Sequence, residues 1–124
     1  MSCAATAAVL EPIKEEKLLD NTNKQGAYAL IRLVELRERS EIVGDVRGKG
    51  LMIGVELVED KESKKPVSQK AAQVITRSWK RGVAIVTCGA STIRIVPPLT
   101  IQRELLDVAL DIVEDTIAEV AKEA

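Results

Sequence analysis

The stretch of residues 92–98, Thr-Ile-Arg-Ile-Val-Pro-Pro, constrains the fold of this chain more than any other. Successive side chains on a β-strand point to opposite faces, so Ile93 and Ile95 can enter a core while Arg94 lies on the other face. The two prolines then end the strand, because proline has no backbone N–H to donate. The stretch therefore predicts a short strand that holds one guanidinium opposite the core.

The remaining periodic segments alternate between helical and extended patterns. In order, we predict a helix over 18–39, an extended segment from Val46, a strand over 51–58, a helix opened by Ser68 and ended by Gly82, a strand over 83–88, and a helix capped by Thr100. This order predicts an α+β domain of two layers. A mainly antiparallel sheet of three or four short strands would carry helices on one face. The other face would present Arg94 beside the Gly89 turn.

Three residues in the helical segments carry specific expectations. Gly26 interrupts the apolar stripe of the helix over 18–39, and close approach of a neighbouring element would explain a glycine there. Trp79 is the only tryptophan and follows the apolar spacing of its helix, so we expect it in the core. Pro12 predicts a kink or break in an Ala-rich lead-in helix that would otherwise run through Lys17.

Gly48, Gly50 and Gly54 invite comparison with a phosphate-binding loop. Their spacing is one residue too long for the dinucleotide fingerprint, and a strand follows them where a helix is required. No lysine–serine or lysine–threonine pair follows, as a P-loop needs. A tight turn or bulge is favoured over direct contact with a ligand, and the sequence leaves both interpretations open.

Composition argues against several classes of partner. The 124 residues suffice for one domain with a single core, and a net charge of -1 makes a polyanion or an anionic membrane an unexpected partner. The basic cluster over 61–70 contains Glu62 and no aromatic residue for base stacking. We therefore interpret it as a solvated loop and expect no nucleic acid.

Composition also limits the chemistry of this chain. No histidine is present, which excludes every catalytic arrangement that needs a histidine base from the same chain. Cys3 and Cys88 show no paired metal-ligand spacing, so we expect no metal site. No stretch has the pattern of a secretory signal or reaches membrane-spanning length, and we expect no membrane segment and a cytoplasmic location.

Two separate motifs carry a resemblance to a known family. Residues 45–57 read Asp-Val-Arg-Gly-Lys-Gly-Leu-Met-Ile-Gly-Val-Glu-Leu, and residues 93–100 read Ile-Arg-Ile-Val-Pro-Pro-Leu-Thr. In this order they resemble the C-terminal small domain of class III pyridoxal-phosphate aminotransferases, the family of the ornithine and 4-aminobutyrate aminotransferases. The likeness extends over nearly the whole chain, so we expect residues 1–124 to form a single domain with the small-domain fold of fold type I enzymes.

The resemblance also implies which functional groups lie here and which do not. In the family, a large domain carries the Schiff-base lysine and holds pyridoxal phosphate. No stretch here matches those motifs, so we expect no catalytic residue and no cofactor bound by this chain alone. The counterpart of Arg94 faces the active site and interacts with a substrate carboxylate or a large-domain glutamate. Gly48, Gly50, Cys88 and Gly89 are candidates to line the same cleft.

Two functions of different classes follow. The resemblance implies the C-terminal domain or a fragment of a 4-aminobutyrate-type aminotransferase, which transfers an amino group from an amino acid to a 2-oxo acid and needs the missing large domain. The independently foldable length leaves open a stand-alone module of ferredoxin-like architecture for small-ligand binding or oligomerisation. In both cases exposed apolar surface predicts self-association into a homo-oligomer.

Overall fold

The structure is a computed structural model that describes residues 1–123 as four helices and four strands. In chain order the elements are α1 (Ser2–Glu15), α2 (Leu18–Arg39), β1 (Val43–Lys49), β2 (Met52–Leu57), α3 (Ser68–Lys80), β3 (Val86–Cys88), β4 (Thr92–Ile95) and α4 (Arg103–Ala121). The helix predicted over 18–39 has the predicted bounds. The extended segment predicted from Val46 is a full strand that already begins at Val43.

The four strands form one antiparallel sheet in the order β1-β2-β4-β3. β1 and β2 form a hairpin that turns at Gly50 and Leu51, and β3 and β4 form a second hairpin that turns at residues 89–91. The two hairpins pair through β2 and β4, which leaves β1 and β3 as the edge strands. The α+β fold predicted from the order of the periodic segments is confirmed.

The core lies between the sheet and the three helices α2, α3 and α4. Val55 on β2 and Ile93 on β4 are fully buried and lie opposite each other in the sheet. They belong to one apolar cluster with Leu33 of α2, Val74 of α3 and Leu110 of α4. The intervening side chains of β2 and β4 point to the opposite face, where they are exposed or half-buried. The sheet therefore has a helix-covered face and an open face.

Gly26 and Gly50 bring α2 against the β1–β2 hairpin. A Cβ on Gly26 would overlap the carbonyl oxygen of Gly50, so the close approach predicted for Gly26 is confirmed. Gly50 has a φ of 57°, and a Cβ there would lie 2.6 Å from Cγ2 of Thr22. Only glycine meets both demands, because it tolerates a left-handed backbone and leaves room for the helix. Of the two interpretations left open for these glycines, Gly50 fits the tight turn.

The N-terminal helix α1 differs from its prediction. Pro12 lies inside α1, which continues to Glu15, and the chain instead breaks at Lys17, whose φ of 50° is left-handed. A proline in a helix removes one hydrogen bond, and in a helix with no buried residue water can solvate the free carbonyl. The break predicted at Pro12 is therefore displaced to the residue that precedes α2.

The prediction that Trp79 lies in the core is wrong. Its side chain is 69% exposed, while Ala71, Val74 and Ser78 form the buried stripe of α3. The helix is rotated so that the small Ser78, and not the adjacent indole, faces the core. Periodicity identified the helix, but several neighbouring residues could have supplied its inner stripe, and packing against the sheet and α4 decided which ones do.

Three predicted boundaries are also corrected. Ser68 is the first residue of α3 and does not cap it, because Val67 occupies the N-cap position. Thr100 likewise lies before Gln102, the N-cap of α4, and neither N-cap side chain forms a capping hydrogen bond. The strand predicted from 83 begins only at Val86, because the chain first leaves α3 through Gly82, whose φ is 91°.

Candidate functional site

A row of four residues crosses the open face of the sheet from one edge to the other. Arg47 of β1 pairs with Gly54 of β2, Gly54 pairs with Arg94 of β4, and Arg94 pairs with Val86 of β3. Neighbouring strands lie about 4.8 Å apart, so the two arginine backbones are separated by about 10 Å. The strand register thus places two guanidinium groups on one face with a glycine between them.

Arg47 is bound by two carboxylates of the same face. Its Nη1 donates to Oδ2 of Asp45 at 2.8 Å and to Oε2 of Glu56 at 2.7 Å. The hydrogen bond to Glu56 is the largest contribution, followed by that to Asp45, and together they raise the pKa of Arg47 above its ordinary value. Because two negative charges surround one positive charge, this trio offers little attraction to a further anion.

Arg94 is the second guanidinium of this face, and its charge stays available. It is exposed, and within residues 1–123 its side chain forms no ion pair. Its neighbours Ile93 and Ile95 are buried on the other face, which fixes the strand and therefore the direction in which the guanidinium leaves it. A planar guanidinium on a rigid element is suited to bidentate binding of a carboxylate.

A shallow depression of about 380 Å³ surrounds Arg94 on the open face. Its lining includes Arg47, Gly48, Gly54, Cys88, Thr92 and Arg94. A Cβ on Gly54 would lie 3.2 Å from Cγ2 of Thr92, so glycine keeps the floor between the two arginines low. Of the four residues predicted to line a cleft beside Arg94, the structure places Gly48 and Cys88 in this depression.

The other two predicted lining residues lie elsewhere. Gly50 is at the turn of the β1–β2 hairpin and packs against α2. Gly89 is in the turn between β3 and β4, with a φ of 67° and no atom within 4 Å of the position of a Cβ. Both glycines serve backbone geometry at these positions, and Gly89 remains next in sequence to Cys88 at the edge of the depression.

Sequence reasoning missed the trio of Asp45, Arg47 and Glu56. The alternation of Asp45 and Arg47 along one strand was a usable signal, since residues two apart share a face. The pairing of Asp45 with Glu56 follows only when the hairpin turn is fixed at Gly50 and Leu51. The extended segment was predicted to begin at Val46, which leaves Asp45 outside the strand. For this reason the trio was not predicted.

Pyridoxal phosphate requires an enclosed lysine, and the described residues do not provide one. Nine of the ten lysines are exposed, and the tenth, Lys70, is half-buried on α3, which lies on the helical side of the sheet. Lys49 lines the depression but is exposed to solvent, whereas a Schiff-base lysine is enclosed in its site. The residues described here therefore do not fit that cofactor on their own.

The same part of the chain offers neither a metal site nor a membrane-spanning helix. No group of three or more histidine, cysteine, aspartate or glutamate side chains in residues 1–123 is arranged to hold a metal ion. Among the described helices, none combines the length and the apolar character that crossing a bilayer requires.

Known proteins resemble nearly the whole of this chain. A family model described as aminotransferase class-III matches residues 1–117. The leucine/methionine racemase of Thermococcus litoralis is 46% identical over 116 residues, which are 94% of this chain and 26% of that protein. The 5-aminovalerate aminotransferase of Pseudomonas putida is 39% identical over 98% of this chain and 29% of its own length. The chain thus spans about a quarter of the length of the curated relatives it matches.

Solved structures agree with the sequence comparison. An amine transaminase from an uncultivated Pseudomonas species, in a form with bound pyridoxal phosphate, superposes with a TM-score of 0.87 and 36% sequence identity. The matched region covers 94% of this chain and 27% of that one. The fold described above is therefore that of one part of a longer transaminase chain.

Proposed function

The chain belongs to the class III aminotransferase family, and from this we propose that it is the small C-terminal domain of a 4-aminobutyrate-type aminotransferase. In this role residues 1–124 form a single domain that supplies one wall of the substrate cleft. Arg94 binds the carboxylate of the amino acid substrate, or a glutamate of the large domain when no carboxylate is present. The large domain is the partner that completes the enzyme.

One observation carries the proposed role of Arg94. The open face holds two arginines in one row, and of these two only Arg47 is bound by Asp45 and Glu56. Arg94 therefore remains the guanidinium to which an incoming carboxylate is drawn. A charge-assisted bidentate pair is among the stronger hydrogen-bonded interactions, and a side chain on a rigid strand loses less entropy when it forms one.

The incomplete cofactor site supports the proposal that the chain acts with another polypeptide segment. The family depends on pyridoxal phosphate, and no described lysine is enclosed as a Schiff-base residue must be. The relatives are about four times longer than the region they share with this chain. We propose that the part outside this region holds the cofactor and the catalytic lysine, and that the present chain is inactive alone.

The test is complementation. The chain is co-expressed with the 5-aminovalerate aminotransferase of Pseudomonas putida from which the matching region has been deleted, and transfer of the amino group from 4-aminobutyrate to a 2-oxo acid is measured. We expect activity only with both polypeptides. Arg94→Ala should lower kcat/KM at least about 100-fold, and Arg94→Lys should recover part of the loss, since lysine keeps the charge without the planar fork.

Matched controls make this result specific. Arg39→Ala removes an exposed arginine of α2 that is paired with Glu114 of α4 on the helix-covered side of the sheet, and it should leave activity unchanged. Turnover by the chain alone with pyridoxal phosphate, through a reducible adduct at one lysine, would contradict the proposal. Full activity of Arg94→Ala in the complemented enzyme would show that the carboxylate is bound elsewhere.

The reaction type needs a direct measurement, because the relative from Thermococcus litoralis is named as a racemase and not as an aminotransferase. The complemented enzyme should therefore be offered 4-aminobutyrate, 5-aminovalerate and single enantiomers of leucine and methionine. We expect transfer from the ω-amino acids and no inversion of the α-amino acids. Inversion without transfer would retain the domain assignment and replace the 4-aminobutyrate-type activity.

A stand-alone module is the second candidate, and the self-contained core favours it. The apolar cluster draws residues from α2, α3, α4 and all strands except β3, so the chain can fold without a partner. Calorimetric titration with dicarboxylates and amino acids would support this role if binding were specific and lost in Arg94→Ala. Since Cys3 and Cys88 are both unpaired, we also propose a reducing compartment, the cytoplasm.

A further inference from the structure

Lys49 is a second unpaired cation on the open face of the sheet. Residues two apart on a strand share a face, so Lys49 lies on the same side of β1 as Arg47. Lys49 and Arg94 are both exposed, and within residues 1–123 neither side chain forms an ion pair or a hydrogen bond. The proposed function uses Arg94 to bind one carboxylate and gives Lys49 nothing to bind.

The strand register sets the separation of these two cations. Lys49 pairs with Met52, and Gly54, which lies two residues further along β2, pairs with Arg94. The backbones of Lys49 and Arg94 are therefore two strands and two residues apart, which is about 12 Å. Both side chains are long and flexible, so the ammonium and the guanidinium can meet over the low floor at Gly54.

Every charged residue that lines the depression around Arg94 is basic. These residues are Arg47, Lys49 and Arg94, whereas Asp45 and Glu56 do not belong to the lining. Of the three cations, the two carboxylates pair only with Arg47. Together the five side chains carry one net positive charge, and the charges of Lys49 and Arg94 remain unpaired. The depression therefore attracts anions.

Two unpaired cations in one depression favour an anion that carries two charges on a compact head. A single carboxylate satisfies Arg94 and leaves Lys49 unpaired, and an uncharged surface laid over both would bury them without partners, which is unfavourable. A phosphate or phosphonate head carries nearly two negative charges and three acceptor oxygens. The planar guanidinium can bind two of these oxygens, and the ammonium can bind the third.

We propose that the depression binds the doubly charged oxyanion head of an amino substrate, a phosphonate or a phosphate ester, with Lys49 as the second binding residue beside Arg94. The inference rests on the proposed function of Arg94, which binds the acid group of the substrate, and extends it from one negative charge to two. Lys49 determines the specificity, because it contributes to binding of a doubly charged head and much less to binding of a carboxylate.

Three ligands with the same chain of methylene groups separate the charge of the head from its shape. The head of 4-aminobutyrate is planar with one charge, and that of 3-aminopropanesulfonate is tetrahedral with one charge. The head of 3-aminopropylphosphonate is tetrahedral and close to doubly charged at about pH 8.5. In calorimetric titrations of the chain, we expect the phosphonate to bind at least about tenfold more tightly than the sulfonate. Equal affinities, or no binding of the phosphonate, would overturn the proposal.

Two variants separate this inference from the proposed function. Lys49→Gln should weaken binding of the phosphonate at least about tenfold and of the other two ligands less than about threefold, because only the second charge loses its partner. Arg94→Ala should weaken binding of all three. If Arg94→Ala weakened none of them, the proposed function of Arg94 would be wrong. If it weakened all three while Lys49→Gln affected them equally, only the inference about Lys49 would be wrong.

Lys80→Gln is the matched control for the change in overall charge. Lys80 is an exposed lysine of α3, on the helix-covered side of the sheet, so all three affinities should stay unchanged in this variant. Circular dichroism should show the same helix content in every variant. An equal loss of phosphonate binding in Lys80→Gln and Lys49→Gln would mean that overall charge, and not the depression, selects the ligand.

Kinetics of the complemented enzyme test whether the depression still admits a substrate when the large domain is present. Lys49→Gln should raise the Michaelis or inhibition constant of 3-aminopropylphosphonate at least about tenfold and the KM for 4-aminobutyrate less than about threefold. Inorganic phosphate should compete with the phosphonate. Inhibition by phosphate that is not competitive would mean that the depression binds free phosphate apart from the substrate. That result, or no effect of Lys49→Gln on the phosphonate, would overturn the proposal.

Discussion

Arg47 and Arg94 lie in the same cross-strand row of the open sheet face, and only Arg47 is held by carboxylates of that face. Two arginines that look equivalent in the sequence therefore differ in their ion pairs. Arg47 stabilises the pairing of β1 with β2 through Asp45 and Glu56. Arg94 forms no ion pair within residues 1–123, and we propose that its partner is a carboxylate outside them.

The contact between Gly26 and Gly50 predicts a large loss of stability on adding one methyl group. In Gly26→Ala the new Cβ would overlap a backbone carbonyl, which cannot move without distorting the hairpin turn. We expect a loss of about 3 kcal/mol, at the upper end for overpacking, measured by urea denaturation. Gly89→Ala is the control, since nothing lies near that Cβ and only its left-handed backbone costs about 1 kcal/mol.

Two carboxylates that contact Arg32 differ in burial, so removing each of them should lower the free energy of unfolding by a different amount. Nη2 of Arg32 lies 2.7 Å from Asp111, whose side chain is 64% exposed, and 2.9 Å from Glu114, whose side chain is 10% exposed. The angle to Glu114 is poor for a hydrogen bond, but the two charges are close and partly shielded from water. Glu114 also binds Arg39 at 2.6 Å.

We expect Glu114→Ala to lower the free energy of unfolding by about 2 kcal/mol, because two arginines lose a shielded partner. Asp111→Ala should cost roughly 0.5 kcal/mol, since solvent screens an exposed pair and Asp107 still contacts Arg32. Chemical denaturation of the two variants gives the comparison. Equal losses would mean that burial of the carboxylate is not the deciding factor.

The ion pair between Arg81 and Glu119 predicts a dependence of stability on pH. The hydrogen bond from Arg81 is the main cause that lowers the pKa of Glu119 in the folded state. The unfolded state then binds the proton more readily, so the stabilisation is present above the ordinary glutamate pKa of about 4.3 and is lost as pH falls through the folded-state value.

Melting temperatures of the wild type and Glu119→Gln should therefore differ near neutral pH and converge as the solution is acidified to roughly pH 3. Glu41→Gln is the matched control, because Glu41 is exposed and forms no ion pair in the described part of the chain. The control should follow the wild type throughout. A gap between wild type and Glu119→Gln that widens in acid would contradict the sign.

The fold could be predicted from local pattern where one face of an element is apolar and the other is not. The strand around Arg94 and the helix α2 meet this condition, and their bounds were predicted within one residue. The rotation of α3 does not follow from its pattern. Arg77 binds Glu123, which follows α4, and Arg81 binds Glu119 of α4, so the side of α3 that carries both arginines faces α4.

Part of the candidate site also follows from local pattern, and part depends on tertiary structure. The exposure of Arg94 follows from alternation along one strand, which a sequence displays directly. The capture of Arg47 by Glu56 depends on the register between two strands, and that register depends on a turn whose length the sequence left open. Trp79 is the counterpart on the helical side, since its exposure depends on which side of α3 meets the core.

Release of Arg47 should convert the open face into a site for two carboxylates. In the double variant Asp45→Asn/Glu56→Gln, Arg47 keeps its place in the row but loses both partners of opposite charge. A second free guanidinium then lies about 10 Å from Arg94 along the row. Flexible arginine side chains can bring their heads closer, so a short dicarboxylate such as glutarate can reach both.

We expect glutarate to bind the double variant at least about tenfold more tightly than the wild type, and acetate to gain much less, because only a dicarboxylate bridges both cations. Titration followed by the Nε–H signals of the arginines in NMR spectra reports which side chain is engaged. Adding Arg47→Gln to the double variant should abolish the gain. If the gain persisted, it would arise from the change in overall charge, and the row of two arginines would not be the binding element.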